Sequence, residues 1–266
     1  MSPILSTQNL SRRFGPVTAV DGVTLSVAAG EIFGLLGRNG AGKSTLIKML
    51  TTLLPPSSGS AQVAGFDIEG EAAKVRRVIG YVPQALSADG ELTGRENLDI
   101  FARLYDIPSS LRKARVGEGL EFMGLGDSAD RLVATYSGGM IRRLEIAQSM
   151  LHRPQVLFLD EPTVGLDPVA REAVWEHIIR LRQSFKTTII LTTHYMDEAE
   201  KLCDRIAIMQ QGKLAAAGTI AELRAATGDE TASLTDLFTR LTGNAAEAGG
   251  GYAATAGTRQ TAERLG

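Results

Sequence analysis

Cysteine is all but missing: Cys203 is the single one in 266 residues, so no disulfide framework can form and a reducing compartment is the natural reading. In "AEKLCDRIAI" it reads as a small buried apolar group and not as a nucleophile. Long hydrophobic runs are absent too. No stretch of about 18 consecutive apolar residues occurs, so these residues do not themselves form a membrane-spanning helix. The opening "MSPILSTQNLSRRFG" lacks a signal peptide's order of charge, apolar block and cleavage site. Charge of one sign is not in excess: the formal net charge is -2, and no nucleic-acid partner is expected, since such binders usually show a strongly basic face.

What is present is enough apolar material for one sizeable core, 44% of the residues, with room for a smaller subdomain. Short apolar runs alternate with helical patterns, the signature of an α/β fold with a mostly parallel sheet. "EIFGLLG" (31–37) reads as a strand running into glycines. "STLIKMLTTLL" then has helical spacing and is expected to stop before Pro55 and Pro56. "QVLFLDE" (155–161) and "TTIILTTH" (187–194) read as strands buried on both faces. "RIAIMQ" and "QGKLAAAG" form a hairpin turning at Gln211 and Gly212. Between about 85 and 152 the pattern is mostly helical, an insertion between strands of the sheet domain. "SLTDLFTRLTG" is a short amphipathic helix able to dock on the domain's side, so the domain runs over 1–243. The Ala/Gly-rich stretch 244–266 is expected to be a disordered tail.

Gly37-Arg38-Asn39-Gly40-Ala41-Gly42-Lys43-Ser44, followed by Thr45, fills the pattern G-x-x-x-x-G-K-[ST] between an expected strand and an expected helix. Backbone N–H groups of such a loop wrap phosphate oxygens, its lysine neutralises β/γ charge, and its serine hydroxyl ligates Mg²⁺. The chemistry also needs a carboxylate to organise the metal and a group to aim the water. "VLFLDEP" supplies both: Asp160 suits Mg²⁺, and Glu161 suits a general base. Phe14 offers an aromatic face to a purine, although by itself it reads as an ordinary core phenylalanine. His152 and His177 read as structural, His152 through a favourable dipole near a helix end. A second cradle, "YSGGM" (136–140), puts Ser137, Gly138 and Gly139 at the mouth of another helix, about a hundred residues beyond the first.

These motifs, in this order, resemble the ATP-binding subunit of ABC transporters: Phe14, the P-loop 37–45, Gln84 in "GYVPQ", "YSGGM", "LFLDEP", "GLD" (165–167) and His194 in "TTHYMDEAE". The resemblance spans about residues 4–242. It implies the P-loop NTPase fold of the ABC type, with an N-terminal antiparallel β part and an inserted α-helical subdomain. It implies ATP and Mg²⁺ as ligands, with Phe14 stacked on adenine, Gln84 at the metal and the attacking water, and His194 on the γ-phosphate. Asp167 would lie across a dimer interface. It also answers why there are two cradles: in an isologous pair, Ser137, Gly138, Gly139 and Met140 of one copy would meet the ATP of the other. Met140, "LTGRENL" and "HYMDEAE" resemble the subset that powers separate ABC-2-type exporter permeases, including daunorubicin-resistance and nodulation-factor exporters. The implied place is the cytoplasmic face of the cell membrane, held there by the permease. Gln84 to Phe101 would line the groove for a permease helix.

Two other classes fit the same residues less well. A soluble ABC ATPase acting on ribosomes or DNA would call for a second P-loop or a long coiled coil, and neither pattern occurs. A small-molecule kinase would leave Ser137, Gln84 and His194 without work.

Overall fold

A computed structural model of the chain describes residues 2–243; the stretch 244–266, read above as a tail, lies outside the described residues. The chain opens with two long antiparallel strands, β1 (Leu5–Phe14) and β2 (Val17–Val27), then enters β3 (Ile32–Leu36). Helix α1 (Lys43–Leu50) follows, then β4 (Ser58–Val63), β5 (Phe66–Asp67), α2 (Ala72–Val78) and β6 (Ile79–Val82). Next come three helices, α3 (Gly94–Leu104), α4 (Ser109–Phe122) and α5 (Gly138–Met150). Strand β7 (Val156–Asp160), α6 (Pro168–Phe185), β8 (Thr188–Thr193), α7 (Met196–Leu202), β9 (Arg205–Gln210) and β10 (Lys213–Gly218) rebuild the sheet. Helices α8 (Ile220–Thr227) and α9 (Leu234–Thr242) close the described chain.

Two sheets result, in the orders β2-β1-β4-β5 and β10-β9-β3-β8-β7-β6. The first is antiparallel throughout, as expected for the N-terminal part. In the second, β9, β3, β8, β7 and β6 are parallel and β10 returns antiparallel. The strands β3, β7 and β8 are buried at every residue, which explains their near-continuous apolar sequences. Leu5, Val20 and Val27 of the first sheet pack with Leu46, Ile47 and Leu50 of α1 onto Phe33, Leu35 and Phe158 of the second. On its other face Leu157 and Leu159 meet Leu98, Leu120, Leu144 and Ile178. Each fully buried side chain of this kind contributes about 1.5–3 kcal/mol.

Local chemistry sets the boundaries. Helix α1 ends at Leu50, earlier than its spacing suggested, because Thr52 takes a left-handed backbone (φ 63°). The N–H groups of Leu53 and Leu54 then both return to the Lys48 carbonyl, at 2.9 and 3.0 Å. The β9–β10 hairpin turns at Gln211 and Gly212 with φ of 46° and 81°, the two left-handed residues that a tight two-residue turn needs. Helix α9 presents Leu234 and Leu237 to Leu36, Ile206 and Ile208, docking on the sheet as its amphipathic pattern implied.

Candidate active site

The carboxyl ends of four adjacent strands deliver the site, the usual location for ligands in an open α/β sheet. β3 leads into Gly37, β8 into His194, β7 ends on Asp160, and β6 leads to Gln84. Between β3 and α1 the loop bends through Gly42, which has φ 101° and serves as the residue preceding the helix. A Cβ there would sit 2.4 Å from the Ala19 carbonyl oxygen, so both backbone angle and space require glycine. A cavity of about 460 Å³ is lined by Ala19, Asn39, Gly40, Ala41, Gly42, Lys43, Ser44, Thr45, Gln84 and Glu161, within the size range of small-molecule sites. Arg38 and Asn39 also line an adjoining cavity with His194, Met196 and Phe238.

Glu161 is the centre of the polar network. Lys43 Nζ lies 3.2 Å from its Oε1, Gln84 Nε2 donates to its Oε2 at 3.3 Å, and His194 Nδ1 stands 3.4 Å from Oε2. The same lysine donates to the carbonyls of Gly37 at 2.7 Å and Arg38 at 3.3 Å. Glu161 itself has φ 49°, an uncommon conformation for a non-glycine residue and one that clusters at functional sites. Its N–H is held by the Thr192 hydroxyl at 2.9 Å.

Asp160 Oδ1 accepts from Ser44 Oγ at 3.0 Å and from Thr192 Oγ1 at 2.6 Å. The oxygens that Ser44, Asp160 and Gln84 carry, hydroxyl, carboxylate and amide, are of the hard kind that Mg²⁺ favours. Burial and the charge of Asp160 push the Tyr81 phenol up to about 12. Thr192 is the residue that sequence reasoning passed over. A threonine at the end of the otherwise apolar "TIIL" run was its signal.

The other sequence-selected residues lie elsewhere. Phe14 ends β1, 46% exposed, with the Arg12 guanidinium 4.8 Å from its ring centre; it does not line the cavity around Lys43. Ser137 precedes α5 as its cap, accepting from the Met140 N–H at 3.3 Å. Gly138 is exposed, whereas Gly139 is buried, and a Cβ on it would meet Ala170 Cβ at 2.8 Å. Asp167 caps α6 through the Ala170 N–H at 2.9 Å, with Pro168 next, an arrangement that fixes the start of a helix. His152 is structural for a different reason from the expected one. Burial pushes its pKa down, so a neutral ring stacks on Tyr105 at 3.9 Å and shares a hydrogen bond with the Ile79 carbonyl at 2.9 Å. Burial likewise pushes the Cys203 thiol well up, which suits a packed apolar group.

Residues 20–164 match the family described as ABC transporter. The chain belongs to the ABC transporter family. It is 47% identical over 230 residues, 86% of this chain and 69% of the relative, to the daunorubicin/doxorubicin resistance ATP-binding protein DrrA of Streptomyces peucetius. It is 46% identical over 222 residues, 84% of this chain and 69% of the relative, to the Nod factor export ATP-binding protein I of Ralstonia nicotianae. Among solved structures, one described as the ATP binding subunit of an ABC transporter superposes with a TM-score of 0.80 at 31% identity, over 90% of this chain and 99% of that one. As an ABC transporter ATPase, the chain binds and hydrolyses ATP, and its kind works with a membrane permease component. No helix among the described residues is long and apolar enough to cross a membrane.

Proposed function

We infer that this chain is the ATP-hydrolysing subunit of an exporter, acting as a pair of copies that close around two ATP molecules and move a separate ABC-2-type permease. The observation that carries the reading is the split between the two cradles. Lys43, Gln84 and His194 converge on Glu161 in one site, while Ser137 and Gly138 stand exposed at the start of α5. A second copy related by two-fold symmetry would complete each site with the other's helix start.

In that closed pair, backbone N–H groups of the loop 37–45 and Lys43 hold the triphosphate. Phe14 stacks on the adenine ring. Ser44, Asp160 and Gln84 would hold Mg²⁺, which when bound draws charge from the phosphate oxygens. Glu161 accepts a proton from the attacking water, with Gln84 keeping its carboxylate in place. His194 donates to a γ-phosphate oxygen, and Asp167 faces the partner copy. ATP bridges the halves, and its hydrolysis removes the bridge.

The docking surface for the permease is the segment from Gln84 to Phe101, where Leu86 and Ile100 are exposed apolar side chains suited to a helix laid in a groove. The permease holds the chain at the cytoplasmic face of the cell membrane. The relatives named for daunorubicin/doxorubicin resistance and Nod factor export favour a drug, lipid or other amphiphile as cargo. The test is expression with its neighbouring membrane protein. The expected result is copurification and an ATP turnover per chain that rises with protein concentration as pairs form; cosedimentation with ribosomes, or transfer of phosphate to an acceptor other than water, would overturn the reading.

A further inference from the structure

Helix α5 carries a buried polar stripe that the ATP chemistry leaves unused. Arg142, Glu145 and Gln148 follow one another at intervals of three and are 2%, 3% and 2% exposed. Taking an arginine and a glutamate out of water is costly, and a well-packed apolar pair fills such a space at least as well. The contacts show what the ions hold.

Arg142 and Glu145 hold one loop directly, the segment from Pro83 to Asp89, and Gln148 reaches it through Asn97. Arg142 Nη1 donates to the Pro83 carbonyl and Nη2 to the Gln84 carbonyl, each at 2.7 Å. Its planar fork suits two acceptors presented side by side. Glu145 Oε1 accepts from the Ser87 N–H and, at 3.1 Å, from the Ser87 hydroxyl. Its other oxygen lies 3.0 Å from Arg142 Nη1, so the two charges also hold each other. Gln148 Nε2 donates to Asn97 Oδ1 at 3.3 Å, and Asn97 brackets Asp89 through its N–H at 3.0 Å and its carbonyl at 2.9 Å.

The loop so held has Gln84 at one end, whose side chain reaches Glu161 at 3.3 Å. The helix that holds it begins at Ser137. We propose that Arg142 and Glu145 are positioning residues that fasten the Gln84 loop to the helix of the second cradle, so that a shift of Gln84 at a chain's own ATP is carried to the Ser137 it offers its partner. The proposal rests on the functional reading above. Neither residue touches nucleotide; both act through the backbone of residues 83–87.

The experiment uses the full chain with Mg-ATP and two variants. Arg142→Met/Glu145→Leu removes both charges together, leaving neither unpaired. Arg142→Lys keeps the charge beside Glu145 but loses the fork. Thermal melting, ATP affinity, kcat and backbone amide exchange at Ser87 and Met140 are read for each. The expected result is a folded protein whose ATP affinity stays within about twofold while kcat falls about tenfold or more. In the unmutated chain, Mg-ATP slows exchange at both Ser87 and Met140; in the variants the Met140 response is lost. A purely structural role would lower the melting temperature and leave that response intact. If the double variant does not fold, Arg142→Lys alone decides. Folded variants with unchanged kcat and an intact Met140 response overturn the proposal. An unmutated chain that turns over no ATP overturns the functional reading instead, and amide exchange on adding Mg-ATP then judges the coupling by itself.

Discussion

The ammonium of Lys43 lies 3.2 Å from Glu161 Oε1, with the two side chains 4% and 7% exposed. In the proposed mechanism, the residue that binds phosphate is thus charge-paired with the residue that takes the proton from water. Phosphate and carboxylate compete for one cation.

Glu161→Gln should separate the two roles. Removing the competing charge frees Lys43, so ATP binds more tightly, while loss of the base lowers turnover by about 10²–10⁴-fold. Phosphate release and equilibrium ATP binding check this. Tighter binding with undiminished turnover would remove Glu161 as the base and leave it only the competing role.

Gly138 and Gly139 should answer differently to substitution. Gly138→Asp puts a carboxylate at the exposed start of α5, where the helix dipole favours it. Its Cβ meets only the end of the Leu166 side chain, at 3.2 Å, so stability should be nearly kept, but a partner's phosphate is repelled and ATPase activity collapses. Gly139→Ala meets Ala170 at 2.8 Å and should cost about 1–3 kcal/mol of stability through overpacking. Melting curves beside ATPase assays distinguish them.

Phe14→Ala should raise the KM for ATP with kcat unchanged, by the about 1–3 kcal/mol that stacking a base on an aromatic ring is worth. Because Phe14 is 46% exposed, the melting temperature should not move. Phe14→Tyr should restore affinity. A KM that ignores the ring would remove Phe14 from the nucleotide site.

Glu198 should give the stability a pH dependence. It is 1% exposed, accepts from Thr163 at 2.6 Å and Trp175 at 2.9 Å, and burial raises its pKa. A group whose folded pKa lies above its unfolded value contributes fully below the unfolded value, near 4.3, and loses that contribution as pH rises through the folded one. Glu198→Gln stays neutral throughout. Its denaturation midpoint relative to the unmutated chain should therefore climb as pH rises through the carboxylate range and above; a constant offset would refute the upward shift.

Much of the fold was legible because the parallel strands are buried on both faces, so "VLFL" and "IIL" had to be apolar. The P-loop was legible because its glycines answer to backbone geometry, as Gly42 does beside Ala19. What stayed hidden depends on neighbours remote in the chain. Thr192 looks like any strand threonine until β7 sets Asp160 beside it. Arg142 and Glu145 look like a solvated pair on a helix until α5 turns them onto Pro83, Gln84 and Ser87. Asp167 shows the opposite: its capping role is written in "DPVA" itself, with the acceptor followed at once by Pro168.

The strand order bears on how the protein is made. β3 and β7, which carry the P-loop and the two carboxylates, are not neighbours, because β8 lies between them. In the finished sheet β8 (Thr188–Thr193) lies between the strands that carry Lys43 and Glu161, and long-range parallel pairing is slow to form, so a nascent chain is expected to bring the two together only once those residues have left the ribosome. Nucleotide would thus be captured only after synthesis has passed the midpoint of the sheet, and chains stalled before that strand would present both halves of the pocket apart, as substrates for chaperones and proteases and not for ATP.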